Sequence, residues 1–300
     1  MIQTAPTGVE PTCTQEQAQI VQSAIGEISH IATLPQITMK IIHLVEDPDS
    51  TAHDLNNVIS NDAALGARIL KVVNSTFYGL PGQIGSIDRA IVLLGLNAVK
   101  NIAIAVSLAK LFRGGQIAPT FNVSDLWTHS VAVAAGTRLL AKKVGLGMPD
   151  EAFLAGLIHD LGIIAEIQAR RSKFVEVIEI LEADPALLFR EAENQVLGAC
   201  HEQFGAGLCK SWKFPMGLTF VTGFHHRPLD LAPANRGLTC LVHVADVLAA
   251  QCEQGYTDTV ECLAPASEVL SELNLTQQQL DEVTKQLPEA LDEATTLLGS

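Results

Sequence analysis

The sequence predicts an all-α fold, on three observations. Apolar residues make up 48% of the 300-residue chain, which suffices for a large, well-buried core. Aromatic residues contribute only 5%, so the core-forming residues are mainly aliphatic, a bias that suits helices better than a barrel or a sandwich. No stretch shows the regular strand, turn and strand alternation that an appreciable sheet requires. We therefore expect a helical protein.

Turn and capping residues divide the first part of the chain into short helices. Residues 1–14, with three helix breakers and few apolar side chains, are expected to form a flexible tail. Residues 15–113 are expected to form an N-terminal helical lobe, in which the apolar segment 97–112 is buried. The predicted N-caps are Ser50 or Thr51, Asn61 or Asp62, and Ser86, and Gly95 ends the helix that Ser86 begins.

Gly114, Gly115 and Pro119 are the clearest linker in the chain, and we place the boundary between two lobes there. The second lobe is predicted to span residues 120–255, and residues 264–300 are expected to form two amphipathic helices, the last capped by Thr276. Within the second lobe the predicted helices are 123–144, 149–168, 172–181, 187–212, 215–226 and 234–252.

The charge balance excludes some classes of partner. The chain has 19 basic and 33 acidic side chains and a net charge of −14, so a general basic field for nucleic acid or an anionic membrane surface is not expected. The N-terminus lacks the pattern of a secretory signal. The most apolar later stretch, residues 90–112, is interrupted by Asn97, Lys100 and Asn101 and is too short to cross a bilayer. We expect a cytoplasmic protein that binds neither nucleic acid nor membrane.

The histidines are the most informative residues of the second lobe. Six of the nine lie between residues 129 and 243, and a helical bundle can bring such distant positions together around a metal. Imidazole and carboxylate groups bind Fe, Mn, Ni or Zn. A carboxylate can bridge two such ions, and the two ions can then share a hydroxide that is positioned to attack a phosphoester. Hydrogen-bonded core histidines without metal are the alternative. The candidate ligands for one or two divalent ions are His129, His159, Asp160, His201, His225, His226 and Asp246.

The order of these residues resembles the ligand pattern of the HD phosphohydrolase superfamily and of its HD-GYP branch. The closer resemblance is to the HDOD domain, the HD-related output domain of bacterial signalling proteins, over roughly residues 30–250. It implies a two-lobed helical fold with an HD-like bundle as the second lobe, and a role in signal transduction with signalling proteins as partners. The matching motifs include Leu34-Pro35, Ile59-Ser60-Asn61-Asp62, Val73-Asn74-Ser75 with Phe77-Tyr78-Gly79, Ala155 to Gly162, Glu193, Leu197-Gly198, His201, Trp212 and His225-His226.

Two departures separate the chain from the catalytic relatives. Ile163 stands where active cyclic-dinucleotide phosphodiesterases have a lysine, and the GYP loop is replaced by a segment that begins with Arg227. We therefore expect a regulatory signalling module with a metal site. The alternative is a metal-dependent phosphohydrolase of a nucleotide or cyclic nucleotide, in which Asp160 bridges two metals and Arg227 or another residue takes over the task of the lysine. In both cases a nucleotide is a candidate ligand.

Overall fold

The computed structural model of the chain describes residues 13–28, 36–47 and 49–299. It confirms the all-α class, since a two-stranded antiparallel hairpin is the one sheet in this part of the chain. Residues 1–12 of the predicted tail and the Leu34-Pro35 motif lie outside the described residues. The elements are α1 Gln15–Ile28, α2 Gln36–Glu46, α3 Ala52–Ser60, α4 Ala63–Val73, α5 Ile87–Leu94, α6 Leu96–Leu108, β1 Gln116–Ala118, β2 Phe121–Asn122, α7 Val123–Val144, α8 Pro149–Ile158, α9 Leu161–Ala183, α10 Phe189–Leu197, α11 His201–Ser211, α12 Met216–Phe224, α13 Gly237–Gln251, α14 Ser267–Leu273 and α15 Gln277–Leu298.

The predicted capping residues begin the helices where expected. Thr51 forms a capping box at the start of α3, and the Asp62 carboxylate accepts a hydrogen bond from a backbone N–H in the first turn of α4. Ser86 caps α5 and Thr276 caps α15 in the same way. Each cap satisfies backbone donors that the helix leaves free. Gly95 ends α5 with a φ of 91°, a value that favours glycine.

Helices α2 to α6 pack together around α6, which is buried on most of its surface. Lys100 of α6 is also buried, and its ammonium group donates to the Leu44 carbonyl near the end of α2 and to the Ser50 hydroxyl at 2.6 Å. Helix α1, which the sequence assigns to this lobe, packs against α9 and α11 instead.

Helix α7 is the centre of the second half of the fold. It packs against α8, α13 and α15, while α11 packs against α9 and α12. Helix α15 also contacts α4, so the C-terminal helix touches both halves of the protein. A second contact between the halves is aromatic. The Arg138 guanidinium of α7 lies 3.6 Å from the centre of the Phe77 ring, and the Tyr78 hydroxyl donates to Asp150 of α8 at 2.7 Å.

Three predicted helix boundaries are wrong. The helix expected over 149–168 ends at Ile158, and α9 begins at Leu161. The helix expected over 172–181 is part of α9, which has a kink at Arg170. The helix expected over 187–212 is interrupted at Gly198, whose φ of 80° ends α10 in the left-handed conformation typical of a helix C-terminus.

The stretch Pro149–Ala183 is long and apolar enough by composition to cross a membrane, with a mean hydropathy of 1.4. However, 83% of its apolar window is buried within the fold, and it consists of two helices, α8 and α9. Its apolar character is therefore explained by its place in the core.

Candidate metal centre

The seven predicted ligands lie together at the middle of the helical bundle, where five segments of the chain position them. His129 is on α7, Asp246 is on α13 and His201 is the first residue of α11. His159 and Asp160 occupy the break between α8 and α9, and the two histidines at 225 and 226 follow α12. All are at most 1% exposed apart from His226, which is half-buried.

One group of ligand atoms surrounds the first oxygen of Asp160. The Nε2 atoms of His225 and His201 lie 3.4 and 3.6 Å from Asp160 Oδ1. The Nε2 atom of His201 is 3.4 Å from that of His225 and 3.0 Å from that of His226. Three imidazoles and one carboxylate oxygen thus face a common point.

A second group surrounds the other oxygen of the same carboxylate. The Nε2 atom of His159 lies 3.3 Å from Asp160 Oδ2 and 3.7 Å from Asp246 Oδ1. His129 completes the group, with its Nε2 atom 2.9 Å from Asp246 Oδ1. Asp160 therefore lies between two sets of ligands and offers one oxygen to each.

The other ring nitrogen of these histidines is held by the surrounding backbone. Nδ1 of His159 is 2.7 Å from the Gly156 carbonyl, and Nδ1 of His225 is 3.2 Å from the Val221 carbonyl. Nδ1 of His129 is 3.2 Å from the carbonyl of Gln254. A carbonyl oxygen only accepts hydrogen bonds, so Nδ1 carries a proton in each ring. In the neutral rings of His159 and His225 the lone pair is then on Nε2, whereas Nε2 of His129 is hydrogen-bonded to Asp246 Oδ1 at 2.9 Å.

The arrangement fits a divalent metal ion. Ligand atoms about 2.1 Å from a common ion are about 3.0–3.4 Å apart, close to the spacing of the facing Nε2 atoms. His159 Nε2 and both Asp160 oxygens are buried without a hydrogen-bond partner, which is unfavourable unless a cation or water satisfies them. The mixture of imidazoles and carboxylates suits Fe, Mn, Ni or Zn.

The neighbouring imidazoles favour the ionised form of the two ligand carboxylates, Asp160 and Asp246, in the absence of metal. Burial alone would raise the pKa of Asp160, but the neighbouring His159, His225 and His201 hold it well below its usual range. Burial likewise opposes ionisation of Asp246, whose pKa is nevertheless lowered by the hydrogen bond with His129 and by the charges of the nearby imidazoles. Both carboxylates are thus kept ionised, the form that binds metal.

Glycine 162 allows the two halves of the centre to approach. A Cβ atom at Gly162, in the first turn of α9, would lie 1.9 Å from the carbonyl oxygen of His201 and 2.8 Å from the backbone nitrogen of Gly205. Side chains do not fit at such distances, so only glycine permits this crossing of α9 and α11. The crossing places the start of α11, and with it His201, beside Asp160.

Glu193 was recognised in the sequence only as part of a motif, and its contacts give it a place beside the centre. Its buried carboxylate accepts hydrogen bonds from the backbone N–H of His201 at 3.1 Å and from Nδ1 of the same residue at 2.8 Å. Glu166 is buried next to it. Burial raises the pKa of Glu166 well above its usual range, and the charge of Glu193 adds to the effect. No local sequence pattern predicts these contacts, since they join three separate helices.

Arg227 lies at the half-buried side of the centre, but it is paired with carboxylates. Its Nε donates to Glu202 at 3.1 Å, and the Nη1 of Arg190 donates to the same carboxylate oxygen at 2.9 Å. Arg190 also makes a two-point contact with Glu261, and Arg227 lies 3.6 Å from Asp230. This group holds two guanidinium groups and three carboxylates, so it adds no net positive charge beside the centre.

The loop between α13 and α14 covers another side of the ligands. We call residues 252–266 the covering segment. It is anchored by the Gln254 carbonyl at His129, by a hydrogen bond of 3.0 Å from the Tyr256 backbone N–H to the Asp125 carbonyl, and by the Arg190–Glu261 pair. The Tyr256 ring packs edge-on against Phe121, with ring centres 4.6 Å apart.

His243 and Ile163 are two other residues of the second half whose surroundings the structure shows. His243, whose role the sequence left open, has its Nδ1 atom 2.8 Å from the His225 carbonyl and therefore holds the backbone of a candidate ligand. Ile163 is fully buried and provides no cation.

Comparison with known proteins identifies the family to which the chain belongs. The family model described as the HDOD domain matches residues 31–228. An uncharacterized protein of Treponema pallidum (strain Nichols) is 24% identical over 222 residues, which are 73% of this chain but only 42% of that protein. The chain thus spans less than half the length of this relative.

Solved structures share the fold at low sequence identity. An HDOD domain protein of unknown function from Geobacter sulfurreducens is 23% identical, with a TM-score of 0.76 over 94% of this chain and 98% of that one. A protein provisionally named for signal transduction, from Marinobacter aquaeolei VT8, is 24% identical, with a TM-score of 0.75 over 97% of this chain and 67% of that one. A protein provisionally named a phosphohydrolase, from Shewanella amazonensis SB2B, is 23% identical, with a TM-score of 0.68 over 92% and 98% of the two chains.

Proposed function

Since the chain belongs to the HDOD domain family, we propose that it is a regulatory domain of signal transduction whose second lobe binds one or two divalent metal ions. The ligands are His129, His159, Asp160 and the other four residues described above. A signalling protein distinguishes the metal-bound domain from the metal-free domain by binding to one of them. The observation that carries the proposal is the Asp160 carboxylate, buried between two sets of imidazoles with both oxygens lacking a hydrogen-bond partner.

The metal part of the proposal is supported by what the site would be without an ion. Nε2 atoms of His201 and His226 that face each other at 3.0 Å would repel unless a proton or a cation lies between them. Protonation is opposed at His226, because burial lowers the pKa of this imidazole well below its usual value and the charges of His225 and His201 lower it further. A metal ion satisfies all of these atoms at once, and the energy of binding would stabilise the fold.

The regulatory part is supported by the surroundings of the ligands. Six of the seven are at most 1% exposed, so a phosphoester has little direct access to them. The cations that would stabilise the charge developing on a phosphate are also occupied. Ile163 replaces the lysine, and Arg190 and Arg227 share the Glu202 carboxylate. A buried ion without free cations beside it suits a structural or regulatory role better than turnover.

The alternative, a metal-dependent phosphohydrolase, is favoured by one feature. Two ligand sets that share a carboxylate are the arrangement of a two-metal site, which activates water and stabilises a phosphoester during displacement. In that case Asp160 would bridge the two ions. Arg227 is the candidate cation for the phosphate, and it would have to leave Glu202 to reach one.

Metal analysis of the purified protein tests the proposal. The chain should be purified without chelator, and its content of Fe, Mn, Ni and Zn compared with that of the variant His159→Ala/Asp160→Ala. We expect one or two ions per wild-type chain and a loss of at least one in the variant. Equal metal contents in the two proteins would refute the site.

The chain provides a matched control. His53 and Asp54 form a second His–Asp dipeptide, on α3 in the other half of the fold. The variant His53→Ala/Asp54→Ala makes the same chemical change away from the centre and should keep the wild-type metal content. Hydrolysis of cyclic dinucleotides and a generic phosphodiester, measured with Mn²⁺ or Fe²⁺ added, separates the two functions. Turnover that His159→Ala/Asp160→Ala abolishes would establish the phosphohydrolase instead.

A further inference from the structure

We propose that Glu193 is a positioning residue that fixes His201 for metal binding, and that it strengthens selectively the subsite formed by His201, His225, His226 and Asp160 Oδ1. This inference rests on the proposed metal site and deepens it, since it assigns the two subsites different affinities and names the residue responsible for the difference.

The geometry of the contact supports a positioning role. The two Glu193 oxygens lie 2.9 and 2.8 Å from Nδ1 of His201, and one of them also accepts the backbone N–H of His201 at 3.1 Å. Glu193 thus holds both the ring and the backbone of one ligand. The Phe189 ring packs edge-on against the same imidazole, with ring centres 6.0 Å apart, and limits its rotation. The Nε2 atom is therefore aimed at Asp160.

The chemistry of the contact distinguishes the two subsites. Nδ1 of His129 and of His159 faces a neutral backbone carbonyl, whereas Nδ1 of His201 faces a carboxylate. A carboxylate that accepts the Nδ1 proton makes the imidazole a more basic ligand, and losing such a partner commonly weakens metal binding about 10–100-fold. Burial raises the pKa of Glu193 well above its usual range, and the hydrogen bond from the His201 backbone N–H opposes this rise and favours the carboxylate.

A matched control lies beside Glu193. Glu166 is also a fully buried glutamate, next to the Glu193 carboxyl, but no hydrogen bond joins its side chain to His201. Glu166→Gln keeps the size of this side chain and removes its ability to ionise. The two glutamates therefore permit the same substitution with and without loss of the carboxylate at Nδ1.

The experiment is a titration of the metal-free full chain with Mn²⁺, in which free Mn²⁺ is measured by its electron paramagnetic resonance signal. We expect Glu193→Ala to weaken one Mn²⁺ site about 10–100-fold, Glu193→Gln to weaken the same site less, and Glu166→Gln to bind as the wild type does. The site that involves His129 and His159 should keep its affinity in all three variants.

The outcomes separate this inference from the proposed function. Absence of Mn²⁺ binding to the wild-type chain would refute the metal site itself. Wild-type binding with unchanged affinities in Glu193→Gln and Glu193→Ala would refute only the role of Glu193. An equal loss in Glu193→Gln and Glu166→Gln would also refute it, because a general disturbance of the buried carboxyls would then explain the result. If Glu193→Ala does not fold, judged by its helical circular dichroism, Glu193→Gln decides alone.

Discussion

Replacing Gly162 by alanine tests whether the crossing of α9 and α11 builds the metal centre. The new Cβ atom would lie 1.9 Å from the His201 carbonyl oxygen, whereas ordinary contacts begin at 3.4 Å. The two backbones would have to separate by about 1.5 Å, the difference between these distances. Overpacking of a rigid core destabilises a protein by about 1–3 kcal/mol, and we expect the upper end of this range because the clash is with backbone.

A destabilisation of about 3 kcal/mol should lower the melting temperature by about 5–10 °C for a chain of this size. The separation would also move His201 away from Asp160, so the chain should lose metal from the His201 subsite. Thermal unfolding followed by circular dichroism and metal analysis of the folded protein measure the two effects.

Gly217→Ala is the matched control, because a Cβ atom at this position of α12 has no heavy atom within 4 Å. It should leave the metal content unchanged and stabilise the protein by about 0.5–1 kcal/mol through higher helix propensity. A Gly162→Ala variant with wild-type melting temperature and metal content would refute the reasoning.

Three further predictions concern other parts of the fold. The pKa of Glu166 is raised by burial, so the stability that its protonated form contributes is present below pH 4.5 and is lost as the pH rises through the raised value. Glu166→Gln, which cannot ionise, should make thermal stability less dependent on pH above 4.5. Arg138→Met removes the stacking on Phe77 and the donor to its carbonyl, and should lower the free energy of unfolding by about 2–4 kcal/mol in urea titrations. Glu261→Gln weakens the anchor of the covering segment, and should speed the release of metal to EDTA several-fold.

Each of these predictions can be contradicted by a simple outcome. The first prediction is contradicted if Glu166→Gln loses stability with rising pH as steeply as the wild type. The second is contradicted if Arg138→Met unfolds at the same urea concentration as the wild type. For Glu261→Gln the control is Glu272→Gln on α14, which weakens a comparable pair with Arg236, the residue before α13. Equal rates of metal release in these two variants would exclude a role of the covering segment.

Much of the helical framework could be predicted because its signals are local. Helix α7 was predicted with the bounds Val123–Val144 that the structure shows, and the caps at Asp62, Ser86 and Thr276 follow from side chains next to the helices they begin. The break at His159-Asp160 has a weaker local signal, since Gly162 follows it by two residues but no cap or proline marks it. The packing of α8 and α9 within the bundle places these two residues.

The ligands could be proposed from the sequence because histidine and aspartate are few in the second half of the chain and their order resembles that of a known family. The residues around them are different. Glu193, Glu202 and Tyr256 act through contacts between segments far apart in the sequence, and glutamate and tyrosine are too common to be conspicuous. Arg227 shows the same limit, since its pairing with Glu202 depends on the end of α12 lying against α11.

The contact of Phe77 and Tyr78 with α7 and α8 has a practical consequence. His129 and Arg138 lie nine residues apart on α7, about 14 Å along a rigid helix, and α8 bears both Asp150 and the His159 end of the ligand cluster. The helices that hold the ligands are thus partly covered by the N-terminal half of the protein. A truncated chain that begins at the linker near Gly114 would expose Phe153 and its apolar neighbours to water, so we expect it to aggregate and recommend that metal binding be studied in the intact chain.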